Sequence, residues 1–118
     1  MNEKDKRAKI VASLRLLARQ WDPKRKARKD SRVDVCVGKF KNGNDKYVAK
    51  YKCAHCEELF DAKETHMDHI DPVVDPKFGF IDYNTFIDRL FLNQDGYQTL
   101  CKVCHKKKSK EENSRRTR

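Results

Sequence analysis

No stretch of the 118-residue sequence is apolar for anything near the ~20 residues that a membrane-spanning helix needs. The first nine residues are charged and lack the apolar centre of a secretion signal, so an intracellular protein is expected. Internal repeats are absent. Hydrophobic residues are scarce as well, 37% against 39% charged, so a small apolar core is not expected to hold the fold unaided. At this length there is room for one core, with arms at most. Small domains in that position usually carry a staple.

The cysteines supply one. Reducing compartments keep thiols free, so five cysteines in an intracellular chain favour metal over disulfides. Four of them form two Cys-x-x-Cys pairs, Cys53/Cys56 and Cys101/Cys104. Each pair offers two thiolates from one backbone turn, and two pairs complete a tetrahedral four-sulfur zinc site. His55, inside the first pair, would have to displace a thiolate and is not expected to bind. Cys36 stands apart in an alternating segment and reads as a small buried hydrophobe. Three residues near the pairs are left outside the zinc set: Asp68, His69 and His105. A carboxylate, an adjacent imidazole and a third nitrogen drawn in by a zinc clamp suit metal-assisted hydrolysis of a phosphodiester.

Net charge is +10, unevenly spread. Residues 1–32 carry 12 Lys/Arg against 4 Asp/Glu, residues 33–101 carry 8 against 12, and residues 102–118 carry 8 against 2. Basic ends around an acidic middle suit a polyphosphate partner and a cation, although Lys-rich ends can also simply keep a small protein soluble. The residues expected to meet nucleic acid are Lys24, Arg25, Lys26, Arg28 and Lys29 in the first basic run and Lys106, Lys107 and Lys108 in the second. Arg89 could reach a phosphate or pair locally. Asp71 and Asp75 read as solvated loop carboxylates.

The pattern of elements is α+β. Ile10, Leu14, Leu17 and Trp21, widened by Val11 and Ala18, predict a helix over 4–20, with Lys6, Arg15 and Arg19 off the apolar stripe. Asp22-Pro23 is expected to end it, and Lys24 to Arg32 is either a short helix or an extended arm. Val33, Val35 and Val37 alternate as a strand, Asn42-Gly43 signals a hairpin, and Tyr47 to Lys52 returns to deliver Cys53. After a turn in which Leu59 and Phe60 pack inward, Thr65 to Ile70 is a short strand. Residues 71–82 form a loop, and Asn84 is expected to cap a helix over 85–92. Tyr97 to Leu100 is a strand, and a last helix starts at Cys104 and frays after Asn113. The divisions are an N-terminal helix and basic arm (1–32), a motif-bearing domain (33–113) and a basic tail (114–118).

Cys53-x2-Cys56, Asp68-His69-Ile70-x-Pro72, the Gly79-Phe80…Phe86-Ile87-x-Arg89-Leu90-Phe91 insert and Leu100-Cys101-x2-Cys104-His105-x2-Lys108-Ser109 together resemble the HNH endonucleases. The likeness is closest to small phage and prophage proteins of this ββα-metal superfamily and covers residues 51–112. It implies a ββα-metal core stapled by a four-cysteine zinc site, and an enzyme that nicks or cuts DNA. It implies that His69 is the general base and that Asp68 and His105 hold a catalytic divalent cation, Mg²⁺ or Mn²⁺. His66, two residues before Asp68 on the same side of the strand, reads either as a group that touches phosphate or supports the site or as a plain exposed strand histidine, and Asn93 is a candidate support. It also implies the cytoplasm of a bacterial host cell and, as a partner, the large subunit of a phage terminase. No membrane is involved. Gly96 stands where the family carries its middle Asn; a left-handed turn there, with Asn93 or Asp95 supplying the hydrogen bond, is the expected substitute. The alternative is a non-catalytic zinc-binding regulator that binds nucleic acid.

Overall fold

The computed structural model describes residues 1–115, so Arg116 to Arg118 of the expected basic tail lie outside the described residues. The chain runs α1 (Glu3–Ala18), α2 (Asp22–Asp30), β1 (Arg32–Lys39), β2 (Asp45–Lys52), β3 (Leu59–Phe60), β4 (Thr65–His69), α3 (Tyr83–Leu90), β5 (Tyr97–Cys101) and α4 (Lys102–Ser114). The fold is α+β with two small antiparallel sheets, β1-β2-β3 and β4-β5. Among the described residues, no helix is long and apolar enough to cross a membrane.

Two separate cores hold these pieces. The first gathers Ala18, Val73, Phe86 and Leu90, with Val11, Leu14, Val74, Phe80 and Phe91 around them. Here α1 docks on α3. The phase of α1 also differs from the expected stripe. Val11, Leu14 and Ala18 face inward, whereas Leu17 is 68% exposed. Arg15, expected off the stripe, lies with its guanidinium 5.3 Å from the centre of the Phe86 ring, an attraction that an aromatic face offers a cation. Docking on an aromatic surface thus rotates the helix toward its arginines. Trp21 completes the junction, its ring edge-on to Phe91 and its Nε1 donating to the Leu92 carbonyl at 2.7 Å.

Pro23 opens α2 instead of closing α1, the position where its missing N–H costs nothing. The basic run is therefore helical. Helix α3 begins two residues earlier than expected, because Asp82 and not Asn84 caps it: Asp82 Oδ1 accepts from the Thr85 amide at 2.7 Å. A charged acceptor at a helix N-terminus gains from the macrodipole as well as from the bond.

The β1–β2 hairpin turns through Gly43 at φ 90°, a left-handed conformation that glycine adopts without Cβ strain. Neither face of its outer half is covered, which leaves Cys36 exposed and corrects its expected burial. Phe60 packs inward but Leu59 stays 42% exposed. The second core is Cys53, Leu100, Cys101 and Cys104, with Phe60 against them. Three of its four buried members are thiols, so sulfur takes the place that aliphatic side chains occupy in a larger domain.

Candidate functional site

Strand β2 leads directly into Cys53, whose amide donates to the Glu58 carbonyl while its own carbonyl accepts from Glu57, both at 2.9 Å. The tight turn requires φ 63° at Glu57. Ala54 N–H donates to the Thr99 carbonyl at 2.8 Å and ties this first knuckle to β5. The second pair straddles a strand-to-helix junction. Cys101 ends β5 and caps α4, its Sγ accepting from the Cys104 amide at 3.4 Å. The helix therefore starts at Lys102, two residues before the expected Cys104.

The four sulfurs lie within 4.8 Å of one another. Thiolates on one tetrahedral ion, with bonds of about 2.3 Å, stand roughly 3.8 Å apart. Small side-chain adjustments close that gap, and the set could hold a structural metal such as zinc. Electrostatics point the same way. Burial works to raise the Cys53 thiol, but the backbone amides of Cys101, Cys56 and His55 outweigh it and bring it to about 6. Burial and the crowding of Cys101, Cys53 and Cys56 push Cys104 up to about 12. Four thiols this close resist full ionisation, and a cation removes the conflict.

Around this brace, β4 pairs with β5 in the register His66↔Leu100, Asp68↔Gln98 and His69↔Tyr97. Helix α4 follows β5 directly and lays His105 and Lys108 against β4. His66 and Asp68, two residues apart, share one face of the strand. The His66 ring lies 4.9 Å from that of His105, centre to centre. Asp68 Oδ1 is 3.8 Å from His105 Nε2. Its other oxygen, Oδ2, accepts from Lys108 Nζ at 2.6 Å and from Gln98 Nε2 at 3.0 Å. Lys108 also donates to the His69 carbonyl at 2.6 Å and pairs with Glu112 at 3.2 Å. Burial opposes its charge, yet these carboxylates win and raise its pKa.

His69 is held from behind. Its Nε2 lies 2.9 Å from the Leu90 carbonyl, freed at the end of α3. A carbonyl only accepts, so the neutral ring carries its proton on Nε2 and keeps a lone pair on Nδ1. Tyr97 Oη donates to the same carbonyl at 2.8 Å and accepts from the Leu92 amide at 3.0 Å. The Tyr97 ring stands 4.9 Å from the imidazole, nearly edge-on. Burial lowers the His69 pKa; the bond to Leu90 opposes this, and the charge of Lys24 adds to it. The ring is neutral near pH 7 and so able to take a proton.

Asp68, His69 and His105 line one open cleft of about 410 Å³, together with Lys108, Glu112, Lys24, Arg15 and Arg19. The sequence-expected residues divide from there. Lys24 faces the cleft, while Arg25, Lys26, Lys29, Lys106 and Lys107 are exposed on α2 and α4. Arg28, expected to meet nucleic acid, is engaged internally: it stacks 5.1 Å over Tyr51 and donates to the Ala62 carbonyl at 3.0 Å. Lys108 is likewise an internal partner of Asp68. Asn93 lines a different depression with Ala27, Asp30 and Tyr97, so its side chain does not support the cleft. Only its carbonyl contributes, accepting from Gly96 N–H at 3.0 Å.

Gly96 is not left-handed, contrary to expectation. It is required by space. A Cβ there would stand 2.7 Å from Leu92 Cδ1 and 2.9 Å from Leu92 Cβ, and its carbonyl accepts from Ile70 at 3.0 Å, next to His69. Gly96→Ala is expected to cost about 1–3 kcal/mol, the usual range for overpacking, measured as a lowered urea midpoint at unchanged slope.

Sequence reasoning missed Arg15, Arg19, Gln98, Tyr97 and Glu112. Two signals were available. Arg15 and Arg19 are i, i+4 neighbours, and His105, Lys108 and Glu112 fall on one helical face. Compared with protein-family models, with curated proteins and with solved structures, the chain matches none.

Proposed function

We propose that the chain is a metal-dependent endonuclease of the HNH, ββα-metal kind that hydrolyses DNA phosphodiester bonds, its four cysteines holding a structural zinc ion. The carrying observation is the 3.8 Å approach of Asp68 Oδ1 to His105 Nε2 in a cleft shared with His69. Two ligand bonds of about 2.1 Å span at most ~4.2 Å, so that separation admits one hard cation between them. A carboxylate oxygen with water in the remaining positions suits Mg²⁺ or Mn²⁺, whereas the imidazole nitrogen is the softer donor of the pair.

Asp68 and His105 would hold that cation, which when bound offsets charge developing on the phosphate. His69 Nδ1 takes a proton from a water molecule, whose oxygen forms the new bond to phosphorus as the bond to the 3′-oxygen breaks, and the departing 3′-oxygen takes up a proton from a second water molecule. The Leu90 carbonyl keeps the ring in the productive tautomer and stabilises the imidazolium once it forms. Exposed Lys106 and Lys107, beside His105 on α4, and Arg25, Lys26 and Lys29 on α2 supply sequence-independent backbone contacts.

One observation favours the non-catalytic regulator. The Lys108 ammonium sits on Asp68 Oδ2 and competes electrostatically with any second cation. Supercoiled plasmid separates the two readings. Under the nuclease reading, zinc-loaded protein converts it to nicked or linear forms only when Mg²⁺ or Mn²⁺ is added, and Asp68→Asn lowers the rate at least tenfold. Binding without conversion at any concentration of either cation sinks the nuclease and leaves the regulator.

A further inference from the structure

The cleft has a second, cationic wall that the chemistry above does not use. Arg15 and Arg19 on α1 and Lys24 on α2 line it together with Asp68, His69 and His105 of β4 and α4. Among the described residues, no carboxylate pairs with any of the three. The two carboxylates facing the cleft, Asp68 and Glu112, are both bound to Lys108. Burial and the nearby charge of Arg19 lower the Lys24 pKa. The cleft lining therefore carries four cations, Arg15, Arg19, Lys24 and Lys108, against two carboxylates, an excess of positive charge in a concave site that an anion relieves.

The wall is also fixed in place. Ala18 is 3% exposed in the first core between Arg15 and Arg19, and Trp21 is pinned to Leu92, three residues before Lys24. Arginine and lysine at set positions suit a tetrahedral oxyanion better than a flat apolar ligand.

We infer that Arg15, Arg19 and Lys24 form a phosphate-binding wall that seats the backbone of a nucleic-acid strand across the cleft, facing Asp68, His69 and His105. The strand's identity rests on the nuclease reading; the phosphate binding does not.

The test uses the zinc-loaded full chain without added Mg²⁺ or Mn²⁺, so that cleavage plays no part. Trp21, the one tryptophan, lies beside the wall, and its fluorescence is expected to respond saturably to inorganic phosphate. Binding of a short single-stranded oligonucleotide is then followed against salt. Each of Arg15→Gln, Arg19→Gln and Lys24→Gln is expected to lower the slope of log K against log salt by roughly 0.7, and the triple variant by about 2. Lys41→Gln, at the hairpin tip, should leave the slope unchanged, and Arg19→Lys should restore most of it. Arg19 is exposed and its substitution spares the core, whereas Arg15→Gln gives up the ring contact with Phe86 and Lys24 is half-buried; slopes are therefore compared among variants that circular dichroism shows to be folded at the assay temperature. A triple variant with the wild-type slope overturns the wall, as does an equal loss in Lys41→Gln, which would mean diffuse charge alone. If the slopes fall as expected but plasmid is never cut with Mg²⁺ or Mn²⁺, the wall stands and the nuclease falls.

Discussion

His69→Ala is expected to lower Mg²⁺- or Mn²⁺-dependent nicking of supercoiled DNA by roughly 10²–10⁴-fold, the usual contribution of a positioned acid–base group. DNA affinity and melting temperature should stay close to wild type. The reason lies in what surrounds the ring. Removing the imidazole takes one donor from the Leu90 carbonyl, which still accepts from Tyr97 Oη, so no buried acceptor is orphaned. Tyr97 keeps both of its hydrogen bonds, and β4 keeps its pairing with β5. Neither the proposed cation ligands nor the Arg15–Arg19–Lys24 wall is altered. What disappears is the Nδ1 lone pair. A structural histidine would produce the opposite pattern, with lower stability and an unchanged turnover per folded molecule. Retained nicking in a folded His69→Ala protein would remove the base from the mechanism and leave the cleft as a binding site only.

The parts of this site that were legible in the sequence are those set by short spacing. Two residues between cysteines fix a knuckle, and the adjacency of Asp68 to His69, or of Cys104 to His105, follows the backbone wherever it goes. Parts decided by docking were not legible. Ile10, Val11, Leu14, Leu16, Leu17 and Ala18 leave α1 apolar over most of its circumference. Its orientation is set by the Phe86 surface that it meets, 71 residues beyond Arg15, and this puts Arg15 and Arg19 at the cleft. Lys108 read as one lysine in a basic run, yet its partner Asp68 lies 40 residues away. Asp82 and Asn84 are both good caps, so only the packing of Phe86 and Leu90 selects between them. The alternation around Cys36 correctly marked a strand, but among the described residues no second layer covers its outer half, and a period of two says nothing about a missing second layer.

Replacing Cys53 with serine is expected to abolish a stoichiometric zinc ion, read by native mass spectrometry, and to unfold the half of the molecule built on β4, β5 and α4. The core there offers little else. Beside the thiols it contains Leu100 and the partly buried Phe60, and fully burying one such side chain yields only about 1.5–3 kcal/mol. Ordering each backbone residue costs ~1–2 kcal/mol, so the five residues of β5 alone offset most or all of what these two side chains gain. Structural zinc sites contribute on the order of 10–16 kcal/mol of apparent binding energy, enough to reverse the balance. Cys53 is the most sensitive position because it is fully enclosed and is the thiol whose surroundings most favour ionisation. Cys36→Ser, on the open hairpin, should change neither zinc content nor melting. The His69→Ala and Cys53→Ser proteins then fail differently. His69→Ala keeps zinc and DNA affinity and loses cleavage, whereas Cys53→Ser loses zinc and cleavage together, with the β4–β5 amides opening to hydrogen exchange. A Cys53→Ser protein that melts as the wild type does would mean that Leu100 and Phe60 suffice, and the four sulfurs would then need another explanation.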